Sequence, residues 1–320
     1  MRRQLAARLL QSLIVVFVVT TISFFVIHLA PGDPFLHEGR NLTESTQQAR
    51  RHEAGYDRPL AEQYLSYVGG VARGDLGYSE SRREPVIRAL AATIPRTLLL
   101  TGLSLALSLG IGIVIGVLQA THRDGWFDRA SSIVLVFFYS LPDFWGALMI
   151  LLVFGYWLRL FPTAGIVEVA SHDYMTAWQA FSDRLRHLVL PLGSFTILTL
   201  AGITRYQRAA MLETLPLDYI RTARAKGLSE RQIVWRHALR TSLSPMITLL
   251  GLMLPALLGG AVFIETVFNW PGMGLLASSA ITSRDYQLVT ATVIAGSTLV
   301  VVGNLLADLL QMAVDPRVRE

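Results

Sequence analysis

The sequence predicts an all-α membrane protein with six transmembrane helices, and three observations carry that prediction. Of its 320 residues, 52% are hydrophobic and only 16% charged, against about 25% charged in a soluble domain, so the polar surface is too small to cover a water-soluble globule. The apolar residues gather into six blocks, 9–29, 97–119, 131–158, 188–204, 245–268 and 288–313, each close to the ~20 residues that cross a bilayer. Lysine and arginine, finally, collect on alternate connecting segments, as the positive-inside bias requires.

The first block is longer than the roughly 7–15 apolar residues of a signal peptide. It runs into His28-Leu29-Ala30-Pro31 without a suitable cleavage site, and is expected to be retained as a spanning helix. With the N-terminus inside, fifteen Lys/Arg fall on inner segments and thirteen on outer ones, nine of the latter in the long 30–96 segment. Loops beyond about 60 residues count little, which leaves fifteen against four and places both termini in the cytoplasm. The expected plan is residues 1–29 as N-terminus and first helix, and 30–96 as an extracytoplasmic loop. Residues 97–313 follow as a five-helix core that includes a cytoplasmic loop at 205–244, and 314–320 form a cytoplasmic tail. The 30–96 loop, with nine acidic residues balancing nine basic ones, reads equally as short helices on the membrane face or as a solvated loop. In 159–187, Tyr174 and Trp178 suit the membrane interface.

The 205–244 loop alone has a net charge of +5, equal to that of the whole chain. The basic balance is therefore that of a cytoplasmic loop beside anionic headgroups. Membrane lipid is the implied partner, and nucleic acid is not. The chain has no cysteine, so it can form neither a disulfide framework nor a thiolate metal site. It has no His-Glu-x-x-His, since His37-Glu38 is followed by Gly-Arg-Asn; no catalytic and no metal-ligating residues are expected.

Within the basic loop, Asp218 suits an N-cap, and Arg224 and Lys226 suit the last turn of the helix that follows. Gly227 suits the left-handed C′ position, and Ser229 with Gln232 has capping-box spacing for a second helix. Such a helix–stop–helix hairpin, with Ala223 and Ala225 on thin faces, can enter a partner's groove closely. The same pattern also fits an amphipathic hairpin lying on headgroups. Ionisable residues within spans are expensive. Asp143 stands near mid-span beside Pro142, which frees backbone acceptors. Ser140, Pro142 and Asp143 are pathway candidates, with a purely structural role for the carboxylate equally open. His28, Glu265 and Asp308 read as interfacial, Gly112 and Gly116 as a helix-packing face, and Pro191 and Pro255 as kinks.

The stretch from Arg221 to Arg240 resembles the EAA loop of ABC-importer permeases, in the variant form of the oligopeptide/dipeptide permease family. The general pattern is Glu-Ala-Ala, three residues, Gly, nine residues, then Ile-x-Leu-Pro. Ala223, Gly227 and Leu239 match it, while Arg221 and Thr222 replace Glu and the first Ala, and His237 and Arg240 replace Ile and Pro. Arg-Thr-Ala-Arg-Ala-Lys-Gly is similar to the peptide branch. So, in order along the chain, are Ala30-Pro31-Gly32-Asp33-Pro34, Gly74-Asp75-Leu76-Gly77-Tyr78-Ser79, Arg83-Glu84-Pro85-Val86 and Ile94-Pro95-Arg96-Thr97-Leu98. Beyond these come Ser140-Leu141-Pro142-Asp143-Phe144, His187-Leu188-Val189-Leu190-Pro191 and Phe268-Asn269-Trp270-Pro271-Gly272-Met273-Gly274.

The resemblance implies the type I ABC importer permease fold, as the B-type subunit of a peptide importer in the bacterial inner membrane. It implies as partners a second homologous permease, two ATP-binding subunits and an extracytoplasmic peptide-binding protein. Asp218, Arg221, Thr222, Ala223, Lys226, Gly227 and Leu239 would form the ATPase-coupling loop. The one lysine, Lys226, is followed by Gly227 and Leu228, which does not make a phosphate-binding loop. No cofactor is therefore expected in this chain, with ATP and Mg on the partner ATPases, and the chain is not itself an enzyme. Nickel, glutathione or oligosaccharide is the alternative cargo within the same machinery. A secondary transporter would want midplane ion ligands and repeated halves, and one aspartate without a visible repeat disfavours it; a passive channel would work without ATP.

Overall fold

The computed structural model describes residues 2–29 and 57–314. In chain order the helices are α1 (Arg2–Leu29), α2 (Leu60–Ala72), α3 (Val86–Thr121), α4 (Trp126–Tyr139), α5 (Asp143–Ile150) and α6 (Ala177–Thr214). Then come α7 (Asp218–Ala225), α8 (Glu230–Gln232), α9 (Leu239–Ser242), α10 (Ser244–Val267), α11 (Met273–Thr282) and α12 (Tyr286–Val314). A two-residue hairpin, β1 (Tyr78–Ser79) against β2 (Glu84–Pro85), precedes α3. π-Helical turns continue α5 through Leu151–Trp157 and join α8 to α9 through Ile233–Ala238.

Each of the six apolar blocks lies on helix. Among the described residues four helices can cross a membrane by length and composition, five when the α4–α5 pair is taken as one span. In α10, which carries the 245–268 block, the side chains of 254–260 and several neighbours, Pro255 among them, lie outside the described residues. So do the side chain of His28, the Ala30–Pro34 and His37-Glu38 motifs, and the tail beyond 314. Two helices overrun their blocks: α3 has 36 residues and α6 has 38, about 54 and 57 Å at 1.5 Å per residue. Hydropathy marks only the lipid-length portion of a helix, whose polar turns propagate on either side. α6 passes through Pro191 without interruption.

The third block departs from the expectation of one straight span. Helix stops at Tyr139, resumes at Asp143, and the two pieces meet at 107°. The cause is local: Pro142 pushes Leu141 out of the α region and supplies no N–H to the ladder.

The chain divides into two compact units. One comprises residues 97–271 together with the chain from 302. Its apolar centre is formed by Leu100, Ala147, Leu190, Phe195, Ile264 and Trp270. There α3 and α6 touch along Gly112 and Gly116. A Cβ on Gly112 would lie 2.7 Å from Ile203 Cγ2, and one on Gly116 2.8 Å from both Gln207 Cβ and the Thr204 carbonyl. Small residues spaced four apart allow that approach, as the spacing predicts. Ser108 adds hydrogen bonds to Thr199 Oγ1 (2.6 Å) and the Thr196 carbonyl (3.1 Å). Glu265 is fully buried and accepts from Thr97 Oγ1 at 2.6 Å. Near the end of α10, Glu265 is thus enclosed by protein rather than open to its surroundings.

The other unit comprises residues 2–96 and 272–301. Val86, Leu90, Leu276, Ala280 and Leu288 form its core, and Phe24 of α1 stacks on Tyr67 of α2 at 5.5 Å. Here the Gly-Asp-Leu-Gly motif has a structural explanation. Gly74, at φ +81, ends α2, with Gly74 N–H on the Val71 carbonyl and Asp75 N–H on that of Gly70, a Schellman stop. Gly77 takes φ +83, and a Cβ there would collide with Gln287 Oε1, which accepts the Tyr78 N–H at 2.7 Å. Asp285, at the head of α12, accepts from Ser79 Oγ (2.6 Å), Ser81 Oγ (2.7 Å), Ser81 N–H (3.0 Å) and Leu288 N–H (3.1 Å).

Candidate functional site

The hairpin at 218–242 forms as the sequence predicts in most respects. Ser229 Oγ accepts the Gln232 N–H and Gln232 Oε1 accepts the Ser229 N–H, completing the capping box. Gly227 has φ +80, its N–H meets the Arg224 carbonyl, and the Leu228 N–H meets that of Ala223, so the first helix ends in a Schellman stop. Arg224 Nε and Nη2 donate to Glu230 across the joint at 2.5 and 3.2 Å. That contact holds the Glu230 carboxyl below its usual range and raises the guanidinium further.

Two expectations are corrected. Asp218 is the first residue of α7 rather than its N-cap, a place taken by Leu217 without a side-chain cap. A carboxylate in the first turn still suits the dipole, and Arg221 sits 3.5 Å from it. Ala223 does not present a thin face outward. It is buried with Ile220, Met211, Ile233, Val234 and Ala238, and Leu239 packs half-buried against the same cluster. The 3.6-residue period decides this: Ile220 and Ala223 lie three apart on the apolar stripe, which leaves Asp218, Arg221, Thr222, Lys226 and Gly227 exposed.

Beneath the hairpin lies a polar tie that the sequence reading missed. Arg208 of α6 donates from Nε to Asp128 Oδ1 (2.8 Å) and from Nη2 to Oδ2 (2.7 Å), and Asp128 is 4% exposed. Gln207 Nε2 donates to Ser242 Oγ at 2.8 Å, fastening α9 to α6. A second missed cluster surrounds Asp183, which accepts the Glu168 N–H and His172 Nδ1–H, each at 3.0 Å, and stands 3.1 Å from His187 Nδ1. Among the described residues no cluster is arranged to hold a metal. A charge separated from its partner by 80 residues leaves no local pattern, whereas Asp183 and His187 stand at i,i+4 spacing on α6, a local signal that the sequence reading passed over.

The pathway candidates sit at the 107° bend. Ser140 is exposed and spends its hydroxyl on the Val136 carbonyl at 2.8 Å. Pro142 precedes the first residue of α5, Asp143. Asp143 is exposed and opens into a cavity of about 330 Å³ whose wall includes Tyr139, Phe195, Thr199, Gly202 and Tyr206. Leu249 and Met253 of α10 close another side. Among the described residues the Asp143 carboxylate has no hydrogen-bond or ion-pair partner. Arg205 stands over the Tyr139 ring, 5.2 Å from its centroid.

Comparison with known proteins places this architecture. Residues 112–320 match the family described as the binding-protein-dependent transport system inner membrane component, and residues 1–101 match that family's N-terminal model. A putative peptide permease of Brucella suis biovar 1 is 39% identical over 100% of this chain and 99% of its own. The oligopeptide transport system permease AppB of Bacillus subtilis is 38% identical over 97% of each. The dipeptide transport system permease DppB of Escherichia coli K12 is 36% identical over 94% of each. Among solved structures, an inward-facing form of the MetNI methionine ABC transporter matches with a TM-score of 0.52 and 22% identity, over 73% of this chain and 96% of that one, a likeness of fold. Matched from end to end by the two models and by full-length relatives, this multi-pass chain belongs to the family of inner membrane components of binding-protein-dependent ABC transport systems.

Proposed function

We propose that the chain is the permease subunit of an ATP-driven importer of di- or oligopeptides, forming part of the translocation pathway and taking its energy from partner ATPases. The substrate class follows from the peptide, oligopeptide and dipeptide permeases that it resembles over nearly its whole length. A glutathione transport permease of Pectobacterium atrosepticum, at 34% identity over 98% of this chain, keeps glutathione as an alternative cargo. The observation that carries the energetic part is the hairpin, rigid at its joint and seated on α6, with a charged outer face.

In this reading two ATP-binding subunits hold ATP and Mg, and one of them grips the exposed face at Asp218, Arg221, Thr222, Lys226 and Gly227. Ala223 and Leu239 act from within, fixing the hairpin to the bundle. Moving a two-state bundle from 1:99 to 99:1 requires about 5.5 kcal/mol, which a loose hairpin could not transmit. A second permease completes the pathway and an extracytoplasmic binding protein delivers the peptide. Both termini of this chain lie in the cytoplasm, as its Lys/Arg distribution favours.

Gentle purification of the tagged chain, with mass spectrometry of its companions, tests the assembly. Two ATPase chains and a second permease are expected. Reproducible recovery of folded chain alone, or only as a homo-oligomer, would overturn the proposal.

A further inference from the structure

We infer that the cavity beside the α4–α5 bend is a cation-receiving subsite, with Asp143 as the counter-charge for the ammonium group of a passing peptide. The inference rests on the peptide-import reading and adds a chemical preference to it. Among the described residues of the cavity wall Asp143 is the one acidic side chain, and its carboxylate has no partner among them. The rest of the wall is mainly apolar and aromatic, with the Tyr139 and Tyr206 rings on it. Tyr139 already receives one cation on its face, the Arg205 guanidinium, and an aromatic face attracts an ammonium in the same way. Volume is adequate, since about 330 Å³ lies within the roughly 300–1,000 Å³ of small-molecule sites.

The energetics favour cations over other solutes. A carboxylate at membrane depth is unfavourable when left unmatched, and an entering ammonium offsets that while losing its own hydration to a charged partner. A neutral solute brings no compensation, and an anion is repelled. Clefts lined by one sign of charge raise the local concentration of the opposite ion by about 10- to 1,000-fold. The Arg205 guanidinium, engaged on the Tyr139 ring, adds a positive charge beside this wall and weakens that field.

The chain lends itself to a direct test because it has no cysteine. Gly202 lies on the cavity wall, and a Cβ added there meets nothing within 4 Å, so Gly202→Cys places one thiol in the site without crowding. In the assembled transporter, with modification read on this chain by peptide mass spectrometry, two methanethiosulfonates are compared: the cationic trimethylammonium-ethyl reagent and the anionic sulfonato-ethyl reagent. The cation-to-anion rate ratio is expected to fall at least tenfold when Asp143→Asn is added, and to persist with Asp143→Glu. An unchanged ratio overturns the inference, as does a thiol that neither reagent reaches.

The source of the ammonium is read by protecting that thiol with tri-alanine or with N-acetyl-Ala-Lys-Ala-amide. Protection by the first points to the peptide N-terminus, by the second to a lysine side chain, and protection by neither counts against a peptide cation. Uptake of tri-alanine by the unmodified transporter is measured separately. Its failure would remove the peptide reading while leaving the charge preference of the cavity standing, so the two can fail independently.

Discussion

Arg208 holds both oxygens of Asp128, at 2.8 and 2.7 Å, and thereby locks α6 to the first turn of α4 beside the seat of the hairpin. Asp128 is buried and Arg208 partly so; removing one partner of a fully buried pair costs about 3–5 kcal/mol, an upper bound here, whereas replacing both with apolar residues of like volume is often neutral. Arg208→Met should therefore lower the thermal midpoint of the purified assembly sharply, and Arg208→Met with Asp128→Leu should recover most of the loss. A single variant as stable as the parent would show that the pair does not tie these helices.

The α3–α6 contact yields an internal comparison. Gly102, Gly110 and Gly116 share α3, but only at Gly116 does an added Cβ meet backbone, 2.8 Å from the Thr204 carbonyl and 3.0 Å from the Arg208 nitrogen. Gly116→Ala is expected to destabilise by about 1–3 kcal/mol through overpacking. Gly102→Ala and Gly110→Ala meet open space and should be neutral or stabilising by a few tenths up to about 1 kcal/mol. Detergent melting curves of the three variants decide the matter, and equal effects would count against close packing.

At Gly227 the argument is conformational alone, because a Cβ would touch nothing within 4 Å while φ stays at +80. A left-handed conformation costs a side chain about 1–2 kcal/mol, and more when β-branched. Gly227→Val should abolish transport while the chain still reaches the membrane at normal abundance, and Gly227→Asn should retain a part of it. Normal transport by the valine variant would remove the hairpin joint from the coupling mechanism.

Asp285 accepts four hydrogen bonds, three of them from Ser79 and Ser81. Stranding buried donors costs about 1–3 kcal/mol each. Asp285→Ala should expose the 78–85 hairpin to limited proteolysis at a protease concentration that leaves the parent intact. Unchanged cleavage would mean that the hairpin is held by its apolar contacts.

The sequence was most informative where a signal is local. Gly227, the Ser229–Gln232 box and Gly112 with Gly116 could be assigned because their meaning depends on neighbours within four residues or on one backbone angle. The orientation of Ala223 was misjudged because the same small residue serves a thin outer face and a tight inner one, and only the packing of Ile220 and Ile233 distinguishes them. Arg208–Asp128 escaped notice because its partners are brought together by topology, while the i,i+4 pair Asp183 and His187 was local and was passed over. The 107° bend was half legible: Pro142 announced a local fault, but hydropathy is blind to angle.

That bend has a consequence for the subunit's perimeter. Beyond Ser140, whose N–H still meets the Val136 carbonyl, the backbone leaves the helical ladder, and the first N–H groups of α5 have no partner within their own helix. Hydrocarbon cannot satisfy them, so irregular backbone at membrane depth must be covered by protein or face water. Wherever the bend lies within the hydrocarbon, this sector therefore demands a polar neighbour of some kind. A subunit folded in this way carries, in its own main chain, a requirement for either company or hydration.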